Sequence, residues 1–263
     1  CRSHFGSSSF SFFVSRCAMN LCRFTGDVLH VIAVTYFLKH LWVTKSCAGL
    51  SRGMQEMYLI VFVTRYIPTD GTIHNVYLVG FKIFFVLAAA AAVGLMRFHP
   101  VIKATYNAKQ DSLNYWLYCV PVALLLALGS TLVWELGEIR WTFSLWSEAF
   151  AVVPQLYMLR NTCDLSLVPD IYIDFLTKYR MAYFLNWMWR SFGPYAVVIP
   201  VQFEAGIVQL ALYFAFFWRL KQLRKAEETN PVCMHQPKAT PFLASEVTAT
   251  EQVEEQPQAV AAV

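Results

Sequence analysis

Seven mainly apolar stretches follow one another along the chain, at approximately 25–43, 54–68, 75–96, 115–133, 141–158, 171–189 and 195–218. Each approaches the ~20 residues that a helix needs to cross a bilayer, and flanking side chains can make up a shortfall by snorkelling. The second window holds Glu56 and Arg65, and the sixth Asp174, Lys178, Arg180 and Asn186. Such groups are costly inside a membrane, which makes them informative. The breaks carry turn or charge signals, among them Lys45 to Gly49, Ile67 to Gly71, Arg97 through Asp111, Gly129-Ser130, Arg160 through Pro169 and Ser191 to Pro194. The pattern predicts an all-α membrane protein with seven transmembrane helices, sequential neighbours running antiparallel.

Composition agrees with that pattern. The 263 residues are 57% hydrophobic and only 14% charged, with a mean hydropathy of +0.44, which excludes a disordered or collagen-like chain. The seven cysteines form no C-x-x-C pair, and Cys22, Cys47, Cys119 and Cys163 read as small apolar residues in or beside spans. An intramembrane enzyme finds no support, because H-E-x-x-H, G-x-S-x-G, a phosphate-binding loop and protease-like aspartate pairs are all missing from the sequence. No catalytic residue, cofactor, metal or nucleic-acid partner is therefore expected.

The formal net charge of +4 divides unevenly, with 20 basic and 11 acidic side chains in residues 1–225 and one and six in residues 226–263. The expectation for 221–263 is a cytosolic, basic-then-acidic disordered tail, since it offers too little apolar surface to offset the entropy of ordering. Residues 1–18 precede the first methionine, Met19, and their apolar run from Phe10 to Val14 is short for a secretory signal; they read as upstream read-through or a truncated gene model. Basic residues cluster after the first, third, fifth and seventh windows (Lys45, Arg52, Arg97, Lys103, Lys109, Arg160, Arg219, Lys221, Arg224, Lys225). The other side holds Arg23, Arg65, Arg140 and Arg190. By the positive-inside rule the C-terminus is cytosolic and Met19 faces a lumen or the exterior.

Parity then brings Arg23, Arg65, Glu138, Trp141 and Arg190 to one membrane face. Guanidinium groups present planar forks matched to carboxylates, so several gathered on the disfavoured side point to an anion pocket. Arg23, Asp27 and His30 share a helix face, as do Tyr179, Tyr183, Asn186 and Arg190, and Trp141 and Glu148. Glu148 and His30 would lie about 10 Å deeper than Trp141 and Arg23, and Tyr179 about 16 Å deeper than Arg190. A polar shaft beneath a basic mouth is predicted. Acidification would charge His30, so anion binding should strengthen as pH falls through the range where histidine titrates.

With these residues placed, the chain resembles the KDEL receptor family, the Golgi-to-ER retrieval receptors for luminal proteins ending in Lys/His-Asp-Glu-Leu. The resemblance runs from residue 19 to about 220. It is carried by Met19-Asn20-Leu21, Arg23-Phe24, Gly26-Asp27, His30, Lys45 to Gly49, Thr64-Arg65-Tyr66, Lys103 to Tyr106, Glu138-Ile139, Trp141 to Ser144, Pro154-Gln155-Leu156, Tyr179-Arg180, Tyr183, Asn186-Trp187 and Trp189-Arg190. It implies a SWEET/PQ-loop-like 3+1+3 arrangement: a first three-helix bundle over 19–96, a cytosolic loop and linking helix four over 97–134, and a second bundle over 135–220. It also implies a pH-dependent receptor that cycles between Golgi and endoplasmic reticulum membranes in COPI vesicles, with protons, C-terminal retrieval signals, the lipid bilayer and the COPI coat as partners. Arg23, Arg65 and Arg190 would bind the signal's carboxylates. Glu138 and Trp141 would meet its fourth residue from the end, and Tyr183, Asn186 and Trp187 would line the cavity. His30, Glu148 and Tyr179 would form the pH-sensing network, and Lys221, Arg224 and Lys225 would be offered to the coat.

Some positions depart from the family pattern. Val133 and Ile199 stand where family members carry acidic residues around the outer pocket, so tolerance of an uncharged residue four from the end is expected. Ala215 replaces an aspartate linked to transport, and the aspartate after Arg65-Tyr66 is displaced to Asp70. The rival reading is a small-solute transporter of the SWEET or PQ-loop class, which Pro154-Gln155 also suits; a neutral solute would not require three arginines at the mouth.

Overall fold

The computed structural model describes residues 6–66, 76–161, 165–191 and 199–229. Their elements are α1 (Gly6–Thr44), α2 (Arg52–Tyr66), α3 (Val76–Phe98), α4 (Pro100–Ala104), α5 (Tyr115–Ser130), α6 (Leu136–Phe150), α7 (Val153–Met158), α8 (Asp170–Ser191) and α9 (Pro200–Thr229). Two 3-10 turns, Leu159–Asn161 and Leu165–Leu167, join α7 to α8. Among the described residues, three stretches are long and apolar enough to cross a membrane: Leu21–Thr44 in α1, Val79–Phe98 in α3 and Pro200–Glu228 in α9; α5 is a shorter apolar helix. Leu87, Leu125, Phe214 and Trp218 are each more than half exposed on these helices. Apolar surface of that extent calls for lipid rather than water, and the chain is an all-helical membrane protein.

The longer helices close into a ring. α1 packs on α3, α3 on α2, α2 on α6, α6 on α9, α9 on α8 and α8 back on α1, while α5 lies against α6. The main core, including Phe37, Leu41, Met54, Met57, Phe62, Tyr172 and Phe216, fills the ring. A smaller core of Ala123, Ala127, Leu145, Trp146, Ala149, Val201 and Ala205 joins α5, α6 and α9. Gly26 permits a close approach of α1 to α8, since a Cβ there would stand 2.6 Å from the Tyr183 ring.

Polar contacts fasten the end where α1 and α3 finish. Asp111, from the loop before α5, caps α2 from outside. Its carboxylate accepts from Arg52 N (2.8 Å), Gly53 N (3.3 Å), Ser51 Oγ (2.8 Å) and the Tyr106 hydroxyl (2.8 Å). Burial, with the Asp111 carboxylate beside it, pushes the Tyr106 phenol up. Gln155 donates through Nε2 to Gly49 O (2.9 Å) and accepts through Oε1 from Ser51 N (2.7 Å), stitching α7 to the α1–α2 loop. Glu56 pairs with Arg97 (2.8 Å) and Arg52 (3.5 Å) and accepts from the Tyr115 hydroxyl. Gly49 sits at φ 75°, and a Cβ there would lie 2.2 Å from Leu167 O, so only glycine fits this crossing.

Two expectations need correction. The fifth window is not one helix: α6 stops at Phe150, Ala151 and Val152 turn, and α7 begins with Pro154 in its first turn. Proline lacks the N–H that would continue the ladder, and its ring would collide with the carbonyl four residues back, that of Phe150. Residues 221–229, assigned to the disordered tail, are instead the last turns of α9, where Lys221, Gln222, Leu223, Arg224, Lys225 and Ala226 are strong helix formers. The backbone of residues 6–18 is helical and continuous with the rest of α1. Asp70, Cys163 and the acidic stretch from residue 230 lie outside the described residues.

Candidate ligand-binding site

A cavity of about 300 Å³ opens inside the ring, walled by side chains from α1, α2, α3, α6, α8 and α9. Helical spacing explains how the chain builds it. Arg23, Asp27 and His30 descend one face of α1, and Arg190, Asn186, Tyr183 and Tyr179 descend one face of α8. Trp141 and Glu148 do the same on α6, while Arg65 and Tyr66 close α2.

At the floor, Glu148 is 2% exposed and carries two guanidinium groups: Arg65 Nη2 at 2.6 Å and Arg180 Nη2 at 3.1 Å from Oε2. The Tyr179 hydroxyl donates to its other oxygen. Arg65 is further held by Ser144, through Nε to Oγ (3.0 Å) and Nη2 to the carbonyl (3.1 Å). The His30 imidazole lies between two rings, stacked on Tyr179 at 4.2 Å and 4° and on Phe85 at 4.4 Å and 29°. Nearer the mouth the Tyr183 hydroxyl donates to Asp27, which ties α8 to α1 just where Gly26 lets them meet. Arg23 and Arg190 are exposed and form no ion pair among the described residues.

The lining holds four arginines against two carboxylates, Asp27 and Glu148, so the cavity has a formal excess of two positive charges. Arg180 Nε, His30 Nε2 and Asn186 Oδ1 are buried and make no hydrogen bond within the described residues. Unsatisfied buried polar atoms around an excess of positive charge suit an anionic ligand that can also donate and accept hydrogen bonds.

Ten of the side chains singled out from the sequence line this one cavity: Arg23, Arg65, Trp141, Tyr183, Asn186, Trp187, Arg190, His30, Glu148 and Tyr179. Glu138 does not. It lines an adjoining cavity of about 500 Å³ that shares Trp141 as a wall. At 100° per residue, Glu138 sits about 60–80° around α6 from the line through Trp141 and Glu148, which turns it out of the first cavity. Arg180, Tyr66 and Gln202 also line the first cavity without having been selected. A charge within the sixth window was the available signal for Arg180. It escaped the stripe argument because it follows Tyr179 directly, a quarter-turn off the face. Lys221, Arg224 and Lys225 lie on the last turns of α9, about 30 Å along the helix from Val201; there Arg224 Nη2 pairs with Asp170 at 2.8 Å.

Comparison with known proteins identifies relatives of the chain. The family described as ER lumen protein retaining receptor matches residues 46–190. The ER lumen protein-retaining receptor erd-2.1 of Caenorhabditis elegans is 38% identical over 200 residues, covering 76% of this chain and 92% of the relative. The ER lumen protein-retaining receptor of Petunia hybrida is 36% identical over 200 residues, covering 76% and 93%. That of Plasmodium falciparum is 36% identical over 203 residues, covering 76% and 91%.

Proposed function

Because the chain belongs to the ER lumen protein-retaining receptor family, we propose that its cavity binds the C-terminal Lys/His-Asp-Glu-Leu-like signal of luminal ER proteins. In this reading Arg23 and Arg190 meet the incoming carboxylates at the mouth, and Arg65 takes up the deepest one. Tyr183, Asn186 and Trp187 supply the polar and aromatic walls, and Trp141 and Glu138 face the fourth residue from the end. The observation that carries the proposal is the gathering of four arginines against two carboxylates around one cavity. A receptor needs that excess; a neutral solute does not.

Binding is proposed to depend on protons. His30 stands among Glu148 from α6, Arg65 from α2, and Tyr179 and Arg180 from α8, with Phe85 of α3 stacked on it. Protonation of His30 adds a positive charge beside the one carboxylate that neutralises Arg65 and Arg180. Glu148 can then turn toward the imidazolium, and the guanidinium groups become available to the ligand's carboxylates. Affinity therefore rises as pH falls, giving capture in the more acidic Golgi and release in the endoplasmic reticulum.

The rest of the reading follows the family. Seven spans in a 3+1+3 arrangement would comprise α1 to α3 (within 19–96), α5 after the 97–114 loop, and α6–α7, α8 and α9 (within 135–220). The ring of α1, α3, α2, α6, α9 and α8 with α5 beside α6 supports it. The C-terminus would be cytosolic, with Lys221, Arg224 and Lys225 presented to the COPI coat for return transport. The test is equilibrium binding of a peptide ending in Lys-Asp-Glu-Leu to the purified protein in micelles, at acidic and neutral pH. A free terminal carboxylate should bind at acidic pH and weakly at neutral pH, and the C-terminally amidated peptide should bind at neither. Equal binding of both forms would overturn the proposal.

A further inference from the structure

Of the charged and amide side chains in the sixth window, Arg180 and Asn186 line the cavity, whereas Asp174 and Lys178 lie on the outside of the ring. Lys178 Nζ pairs with Asp174 along α8, and the two side chains are 56% and 43% exposed. They interrupt an apolar stripe: Ile171 (50% exposed), Met181 (43%) and Leu185 (58%) continue the same alternation of three- and four-residue steps. Their depth follows from α1, which runs antiparallel to α8, with His30 stacked on Tyr179 and Phe37 against Tyr172 at 4.7 Å. Asp174 and Lys178 therefore lie level with the part of α1 between Phe37 and His30. Within the apolar stretch Leu21–Thr44, that part is about 10 Å or more from either end. Hydrocarbon surrounds such a depth. An ion pair open to lipid there is costly, and one hydrogen bond leaves most of the ammonium's donors and the carboxylate's acceptor sites unfilled.

We propose that this outer face of α8 is a docking seam for the transmembrane helix of another membrane protein, one that sets a basic residue against Asp174 and an acidic residue against Lys178. The spacing suits a helix, because alternating steps of three and four residues form the seam along which two helices pack side by side. The charges suit a partner that carries the opposite order. In hydrocarbon these groups gain hydrogen bonds from a neighbouring helix, not from solvent, and a polar layer within an apolar seam fixes the register of the pair. A second copy of the chain is the poorer occupant. Copies in one membrane share a direction, so a two-fold pair along α8 would set Asp174 opposite Asp174 and Lys178 opposite Lys178. A different helix completes a cluster of four charges with alternating signs.

The probe is a synthetic Leu/Ala helix of about 24 residues, long enough to span, bearing a central Lys and Glu four residues apart. Its control carries leucine at both positions. Energy transfer from the labelled full-length protein to the labelled peptide is titrated in phosphatidylcholine vesicles. The charged helix should associate about tenfold more tightly than the control. Asp174→Leu/Lys178→Leu should abolish that advantage. Asp174→Lys/Lys178→Asp, which keeps the pair in reversed order, should retain it, because the peptide can insert the other way round. Equal association of the two peptides with the unsubstituted protein would overturn the proposal, as would an advantage that survives the leucine variant. Energy transfer between two labelled copies of the protein, lost in the leucine variant, would assign the seam to self-association and overturn the choice of partner.

Discussion

Glu148 holds two guanidinium groups where water hardly reaches: its side chain is 2% exposed, that of Arg180 3% and that of Arg65 18%. Glu148→Gln preserves shape and most hydrogen-bonding capacity but removes the negative charge that both cations share. Breaking a buried ion pair from one side leaves an uncompensated charge, at about 3–5 kcal/mol. An acidic peptide end would restore a negative charge to the same place, so the variant should gain more stability from ligand than the parent does. The measurement is thermal unfolding in micelles, followed by tryptophan fluorescence, with and without saturating peptide ending in Asp-Glu-Leu at fixed pH. Glu148→Gln should melt well below the parent when free and recover most of the difference when bound. The double variant Glu148→Gln/Arg180→Gln, which removes a cation together with the anion, should lie closer to the parent than the single variant does. If Glu148→Gln melts with the parent, or if peptide shifts both proteins equally, Glu148 is not the counter-charge and the reasoning about the floor is wrong.

Other expectations follow from the same geometry. Arg190→Ala should weaken signal binding by more than tenfold, about 1.4 kcal/mol or more, in a direct titration; an unchanged Kd would remove Arg190 from the site. His30→Ala should flatten the dependence of affinity on pH while leaving binding detectable, so a pH profile parallel to the parent's would exclude it as the sensor. Gly26→Ala sets a methyl 2.6 Å from the Tyr183 ring, forcing α1 and α8 apart at a cost of about 1–3 kcal/mol, visible as a lowered melting temperature together with weaker peptide binding. Asp111→Ala removes the external cap of α2 and should cost about 1–2 kcal/mol of stability with no change in peptide Kd, because that contact lies at the opposite end of the ring.

How far the sequence could be read depended on whether a feature was local. Three- and four-residue spacing is a property of the helix itself, so the stripes on α1, α6 and α8 were legible, and counting turns placed their basic ends together. The rotation of one helix against another is not local. It is set by contacts such as Gly26 against Tyr183, and no spacing rule could say that Arg180, one residue after Tyr179, would reach Glu148 from α8. Glu138 illustrates the same limit: parity put it at the correct end of α6, but its angle about that axis placed it in the neighbouring cavity. The break at Phe150 was legible through Pro154, although an average of hydropathy over the window passed across it. The helical extension of α9 was legible in its own helix-forming residues, whereas the pairing of Arg224 with the distant Asp170 was not.

The fastened end of the ring has a consequence for traffic. Below Glu148 lie the fully buried Met54, Met57 and Tyr213, and beyond them Gln155, Glu56 and Asp111 bind one half of the molecule to the other. The space above is therefore a blind well. On the receptor reading, a polypeptide tail would enter and leave by the same door, so the decision to hold or let go would fall to whatever bathes that door, and nothing would need to be carried through the wall for it to be made.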